Sequence, residues 1–205
     1  MQTLDERAVA RKPRLPKTIA RLNGILDEAE KIILELGLEG FSIPILAARL
    51  NYTRASIYRF YPTPHAILNE LSLRYFDESA EKVATLAAEH MDLPWRELVG
   101  KLVGFITDYY NSKPITRILL LGGAVTDKTF RIQEITNQRL GGALRLLLEA
   151  RGLSVPVEPD VAWLAVDISD TIMRHSNYRH GRITEAYRDE VIRATVGYLE
   201  TYIKD

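Results

Sequence analysis

The sequence predicts an all-α protein in which a small helix-turn-helix head precedes a larger helical bundle. Apolar residues recur at helical rather than strand spacing along almost the whole chain, and Gly, Pro and Asn punctuate the stretches at intervals of one to several turns. Two short helical stretches also flank a three-residue turn near residues 51–53. The pattern gives helices over 18–36, 43–50, 54–60, 64–90, 95–112, 114–123, 128–151, 159–178 and 184–203, about nine in all. A chain of 205 residues fits one head (1–65) and one larger unit (66–205), and 46% hydrophobic composition is ample for a packed core.

The first helix carries Leu22, Leu26, Ala29, Ile33 and Leu36 on one face, and Gly37 is a suitable stop. Ser42 is placed to cap the second helix, where Pro44 falls in the first turn and its missing N–H costs nothing. Asn51 tolerates the left-handed conformation that a sharp turn requires, and Thr53 can cap the helix that begins at Arg54.

Charge is neutral overall, with 27 basic and 27 acidic side chains, so no global field draws the molecule to nucleic acid or membrane. Its distribution is polarised. Six basic residues and no acid lie between Arg7 and Arg21, and Arg49, Arg54 and Arg59 lie between Gly40 and Asn69, again without an acid. Residues 1–65 hold 10 basic and 7 acidic side chains, so the head is basic and the remainder acidic. Acid-free basic segments, one before a helix-turn-helix and one across its turn, fit a surface that meets phosphates.

Several classes are disfavoured. The absence of cysteine removes disulfide frameworks and thiolate chemistry. The charged N-terminus lacks the apolar stretch of a secretion signal, and the most apolar run, Ile118 to Val125, falls far below the roughly 20 residues that span a bilayer. A cytoplasmic protein is expected. No glycine-rich phosphate loop, nucleophile elbow or His-Glu helix motif is present, and His65, His90, His175 and His180 lack metal-ligand spacing. Neither enzyme activity, metal nor cofactor is expected.

The segment Ile25 to Leu68, ILDEAEKIILELGLEGFSIPILAARLNYTRASIYRFYPTPHAIL, resembles the N-terminal signature of the tetracycline-repressor (TetR) family of regulators. Leu46-Ala47-Ala48-Arg49 matches its second helix, Asn51-Tyr52-Thr53-Arg54-Ala55-Ser56-Ile57-Tyr58 its turn and recognition helix, and Tyr61-Pro62 its closing aromatic and proline. Three departures stand out: Asn51-Tyr52 replaces the usual Gly-Val, Tyr61 a phenylalanine, and Pro64 a lysine that often touches phosphate. His65 or the free N–H groups of that helix terminus are the candidate substitutes.

The resemblance implies a sequence-specific DNA-binding regulator, a ligand-responsive repressor acting as a homodimer on a near-palindromic operator. Its third helix would enter the major groove with Arg54, Ala55, Ser56, Tyr58 and Arg59 within reach of DNA, while Ile57 points into the core. Ser42 and Thr53 would face phosphate oxygens, and Lys17 belongs to a basic arm, Arg11 to Lys17, that either follows a minor groove or is a basic tail. The alternative is a small-molecule binding or adaptor protein with a degenerate DNA-binding head.

Behind the head, the helix from Trp95 has two apolar stripes, and Phe105 and Tyr109 either line an effector pocket or simply fill the core. The helix from Asp160 carries Trp163, Asp167, Asp170 and Arg174 on one stripe. Asp170 and Arg174 form either a wet surface pair or a set of inward polar groups for an unknown small-molecule effector. For the dimer interface the expected residues are Val161, Leu164, Ile168 and Ile172 on this helix and Val191, Thr195, Tyr198 and Tyr202 on the last. Together they offer more apolar surface than one-sided packing requires.

Overall fold

The computed structural model describes the backbone of residues 16–122 and 127–203 and the side chains of 18–122 and 134–203. The basic arm before Pro16 and the side chain of Lys17 lie outside the described residues. The chain is all-helical: α1 (Pro16–Gly40), α2 (Ile43–Leu50), α3 (Arg54–Tyr58), α4 (Pro64–Glu89), α5 (Trp95–Ser112), α6 (Pro114–Thr116), α7 (Asp127–Glu149), α8 (Val161–His180) and α9 (Glu185–Glu200). Among the described residues no helix is long and apolar enough to cross a membrane.

Local chemistry explains most boundaries. The helical path of α1 breaks at Gly37, whose φ of 73° suits a residue without Cβ, and then resumes to Gly40. Ser42 caps α2 by accepting from the Ile45 N–H, and Thr53 caps α3 by accepting from the Ser56 N–H. Between them Asn51 adopts the left-handed conformation (φ 52°, ψ 42°), so the turn has the geometry expected of it. Further caps come from Thr63 on α4, Asp160 on α8 and Thr184 on α9. Because Asp160 is the cap, α8 starts two residues later than expected, and left-handed Gly181 ends it two residues later.

Sequence spacing did not foresee one feature. The expected regular helix over 114–123 is only three residues of α6, which then widens into a π-helical turn, Arg117–Leu121. Gly122 permits this: a Cβ there would lie 2.4 Å from the Ile118 carbonyl oxygen.

One hydrophobic core runs unbroken from head to bundle. Ile25, Ile32, Leu46, Ile57 and Tyr61 fill the head, Ile67, Leu71 and Phe76 carry the core along α4, and Tyr109, Tyr110, Leu121, Met173 and Val191 continue it in the bundle. A second cluster joins Trp95, Val99, Leu148, Val161, Ala165 and Leu199. This packing corrects the expected interface. Val161 and Val191 are fully buried within the single chain, and Thr195 is 3% exposed with its hydroxyl 2.6 Å from that of Ser169. These three side chains face their own core and leave nothing for a partner to cover. Leu164, Ile168, Ile172 and Tyr198 are half-buried, Ile172 packs against the first cluster, and Tyr202 is exposed.

Candidate nucleic-acid interface

The recognition helix is short, and its orientation comes from one anchor. Ile57 is completely buried, which turns Arg54, Ala55, Tyr58 and Arg59 outward, all of them exposed. Tyr61 is buried in the core, its phenol pushed above the ordinary range first by burial and then by the Glu70 charge. Tyr58, 44% exposed, is available for contact. His65 is half-buried in the first turn of α4, and the Thr63 hydroxyl accepts from the Ala66 N–H of that same turn.

The arginines of the head divide sharply. Arg49, read from sequence as part of an acid-free segment, donates to Glu35 at 2.5 Å and lies 3.6 Å from Glu28, so α1 neutralises it. The hydrogen bond from Arg49 holds the Glu35 carboxyl below the ordinary range. Arg74 of α4 likewise pairs with Asp27 of α1 at 2.7 Å. For Arg21, Arg54 and Arg59 no ion pair exists among the described residues, and all three are exposed beside the turn or on α3. Arg59 has only the Phe60 ring, 5.7 Å from its guanidinium, among the described residues.

Arg21 is the site residue that sequence reasoning missed. It belongs to α1, 35 positions from Ser56, yet its Nη2 donates to the Ser56 hydroxyl at 3.0 Å and its guanidinium lies 4.4 Å from the centre of the Tyr52 ring. Only its place at the end of the basic stretch signalled it. The Ser56 hydroxyl, expected on a DNA-facing surface, donates in turn to the Thr53 carbonyl at 2.8 Å.

The proposed effector residues separate into two places. Tyr109 stacks on Phe105 (6.3 Å) and faces α4, where its hydroxyl donates to the Tyr75 carbonyl at 3.5 Å and Lys82 lies 5.2 Å from its ring. Trp163, Asp167 and Asp170 instead line the seam with α7. Asn137 donates to Asp167 at 3.2 Å, and Gly141 lets α7 approach the Trp163 backbone. The link is Tyr110, buried beside Asp170 and Arg174, with its ring 6.0 Å from that of Tyr109.

Asp170 is 7% exposed and pairs with Arg174, so the wet-surface alternative for this pair does not hold. Burial pushes its carboxyl up, against the pull of Arg174. The indole N–H of Trp163 and the Nε of Arg174 are buried without an acceptor among the described residues.

A head of this geometry, continuous through its fourth helix with a helical bundle, defines an all-α helix-turn-helix protein. Solved structures match that whole architecture. A TetR-family transcriptional regulator from Streptomyces coelicolor is similar at TM-score 0.66 and 22% identity, covering 89% of this chain and 99% of its own. SmeT, the repressor of the Stenotrophomonas maltophilia multidrug efflux pump SmeDEF, is similar at TM-score 0.64 and 18% identity over 90% and 91%. The multidrug binding protein EbrR, complexed with imidazole, matches at 0.64 and 19% over 90% and 96%. No protein-family model and no curated protein matches the sequence. The chain has the fold of TetR-family transcriptional regulators.

Proposed function

We propose that this protein is a ligand-responsive transcriptional repressor that binds a near-palindromic DNA operator as a homodimer. The observation that carries the reading is the pair of exposed arginines, Arg54 and Arg59, without an ion pair among the described residues, on a helix that Ile57 anchors and Thr53 caps. Arg is the commonest bidentate reader of guanine edges, and Tyr58, Thr53 and Ser42 suit backbone oxygens. Under this reading residues 1–65 bind DNA, residues 66–205 bind effector and partner, and the place of action is the cytoplasm.

The effector enters near the junction of α5, α7 and α8, beside Tyr110 and Asp170. The buried donors of Trp163 and Arg174 favour a mostly apolar molecule that carries acceptor oxygens. The similar proteins EbrR and SmeT, a multidrug binding protein and the repressor of a multidrug pump, support ligand response. The signal travels through α4, and a coupling of about 1–3 kcal/mol suffices for release of DNA.

Selection of fragments from a random DNA pool tests the reading. Retained DNA should share a near-palindromic motif, and affinity should fall steeply with salt. If nothing is retained at low salt, the repressor reading fails and a small-molecule carrier with a degenerate head takes its place.

A further inference from the structure

We propose that Arg21 is a phosphate-contacting residue that fixes the position of α3 on DNA, and that Ser56 serves as its tether and not as a reader of bases. The inference rests on the DNA-binding reading and adds a residue from a different helix to the interface.

Three observations meet at this point. The Arg21 guanidinium lies 4.4 Å from the Tyr52 ring centre and donates to Ser56 at 3.0 Å, so a long, flexible side chain is held in one place beside the recognition helix. Guanidinium has five donors in a rigid fork, and Ser56 takes one of them. Arg21 is exposed and has no carboxylate partner among the described residues, whereas Arg49 in the same head and Arg74 of α4 are each paired with a carboxylate of α1. A cation ordered in advance, and left without an anion, has already lost the freedom that capture of a phosphate would cost it.

Ser56 follows from the same contacts. Its single hydroxyl proton goes to the Thr53 carbonyl at 2.8 Å, and its oxygen accepts from Arg21. Donating to a base acceptor would require breaking the bond to Thr53, and Arg21 already takes one of the two acceptor lone pairs. Tyr52, which stands where the family usually has a valine, gains a reason: its ring is the platform on which Arg21 rests.

The test compares DNA binding by the full chain and its variants at several salt concentrations, with the sequences selected by the wild-type protein as probe. Arg21→Ala should weaken all sequences alike, roughly tenfold at moderate salt, and lower the slope of log affinity against log salt by about 0.9 for each engaged subunit. Arg21→Lys keeps the charge and should restore the slope while recovering only some of the affinity. Ser56→Ala should weaken binding without altering base preference at any position. An Arg21→Ala protein with wild-type affinity and slope, or a Ser56→Ala protein with changed preference at one base pair, overturns the proposal. Arg21 is exposed, so unchanged helical content and melting temperature separate these outcomes from misfolding. Absence of wild-type binding refutes the DNA-binding reading itself, and is thereby distinguishable.

Discussion

At the scale of single residues, identical side chains take opposite roles according to what stands opposite them. Arg49 closes a contact between α2 and α1, while Arg54, five residues later, meets no carboxylate among the described residues and faces outward. Arg54→Ala should therefore relax base preference at one operator position and cost about 1–3 kcal/mol of specific binding, measurable by competition between operator variants. Arg49→Ala should leave base preference unchanged, since its guanidinium belongs to the head's own scaffold. Asn51 holds a left-handed conformation, so Asn51→Val should lower head stability by about 1–2 kcal/mol in thermal or denaturant unfolding, whereas Asn51→Gly should be tolerated.

At the scale of elements, a single turn of α4 is clamped to α1 on one side and to the α5–α6 junction on the other. Arg74 and Tyr75 hold α1 through Asp27 (2.7 Å) and Glu30 (2.6 Å), and one turn on Glu78 receives Lys113 at 2.5 and 2.7 Å. A shift at the α5–α6 junction would thus reach α1 through α4, beside the direct packing of α6 on α1. Burial pushes the Glu78 carboxyl up, but hydrogen bonds from Lys113 and Lys82 outweigh it and bring it down to about 2 from an ordinary 4.5. Because the folded value is the lower one, the stabilisation is complete above about pH 4.5 and is lost as pH falls toward 2. Glu78→Gln should cost about 1 kcal/mol at neutral pH, and the difference from wild type should vanish in strong acid. The seam of α7 and α8 gives a sharper contrast between glycines. A Cβ at Gly141 would lie 2.6 Å from the Trp163 Cα, so Gly141→Ala must push the helices away from each other and should cost about 1–3 kcal/mol, read as a lower melting temperature. At Gly104 the nearest atom is the tip of the Arg188 side chain, which can swing away, and Gly104→Ala should be nearly silent.

At the scale of the whole molecule, the outer side of α8 and α9 is the surface proposed for the partner subunit, with Leu164, Ile168, Tyr198 and Tyr202 left partly exposed by their own chain. Two such helices per subunit can close as a four-helix bundle about a two-fold axis. Ile168→Glu should yield a folded monomer with much weaker operator binding, seen by sedimentation and DNA titration. Ile172 is a poorer probe because it also packs against the core. A wild-type protein that stays monomeric at micromolar concentration while binding its operator tightly would rule the arrangement out. The sequence by itself determined the helices apart from the π-helical turn at 117–121, the caps at Ser42 and Thr53 and the left-handed turn at Asn51, because each depends on residues within a turn or two of one another. Tertiary structure alone decided that Arg49 is neutralised and Arg21 presented, that Asp170 is buried beside Tyr110, and that Val161, Val191 and Thr195 belong to the subunit's own core. An apolar or charged stripe states what a helix face offers. Which element covers that face depends on how helices far apart in sequence are set against each other, and local spacing carries no record of that.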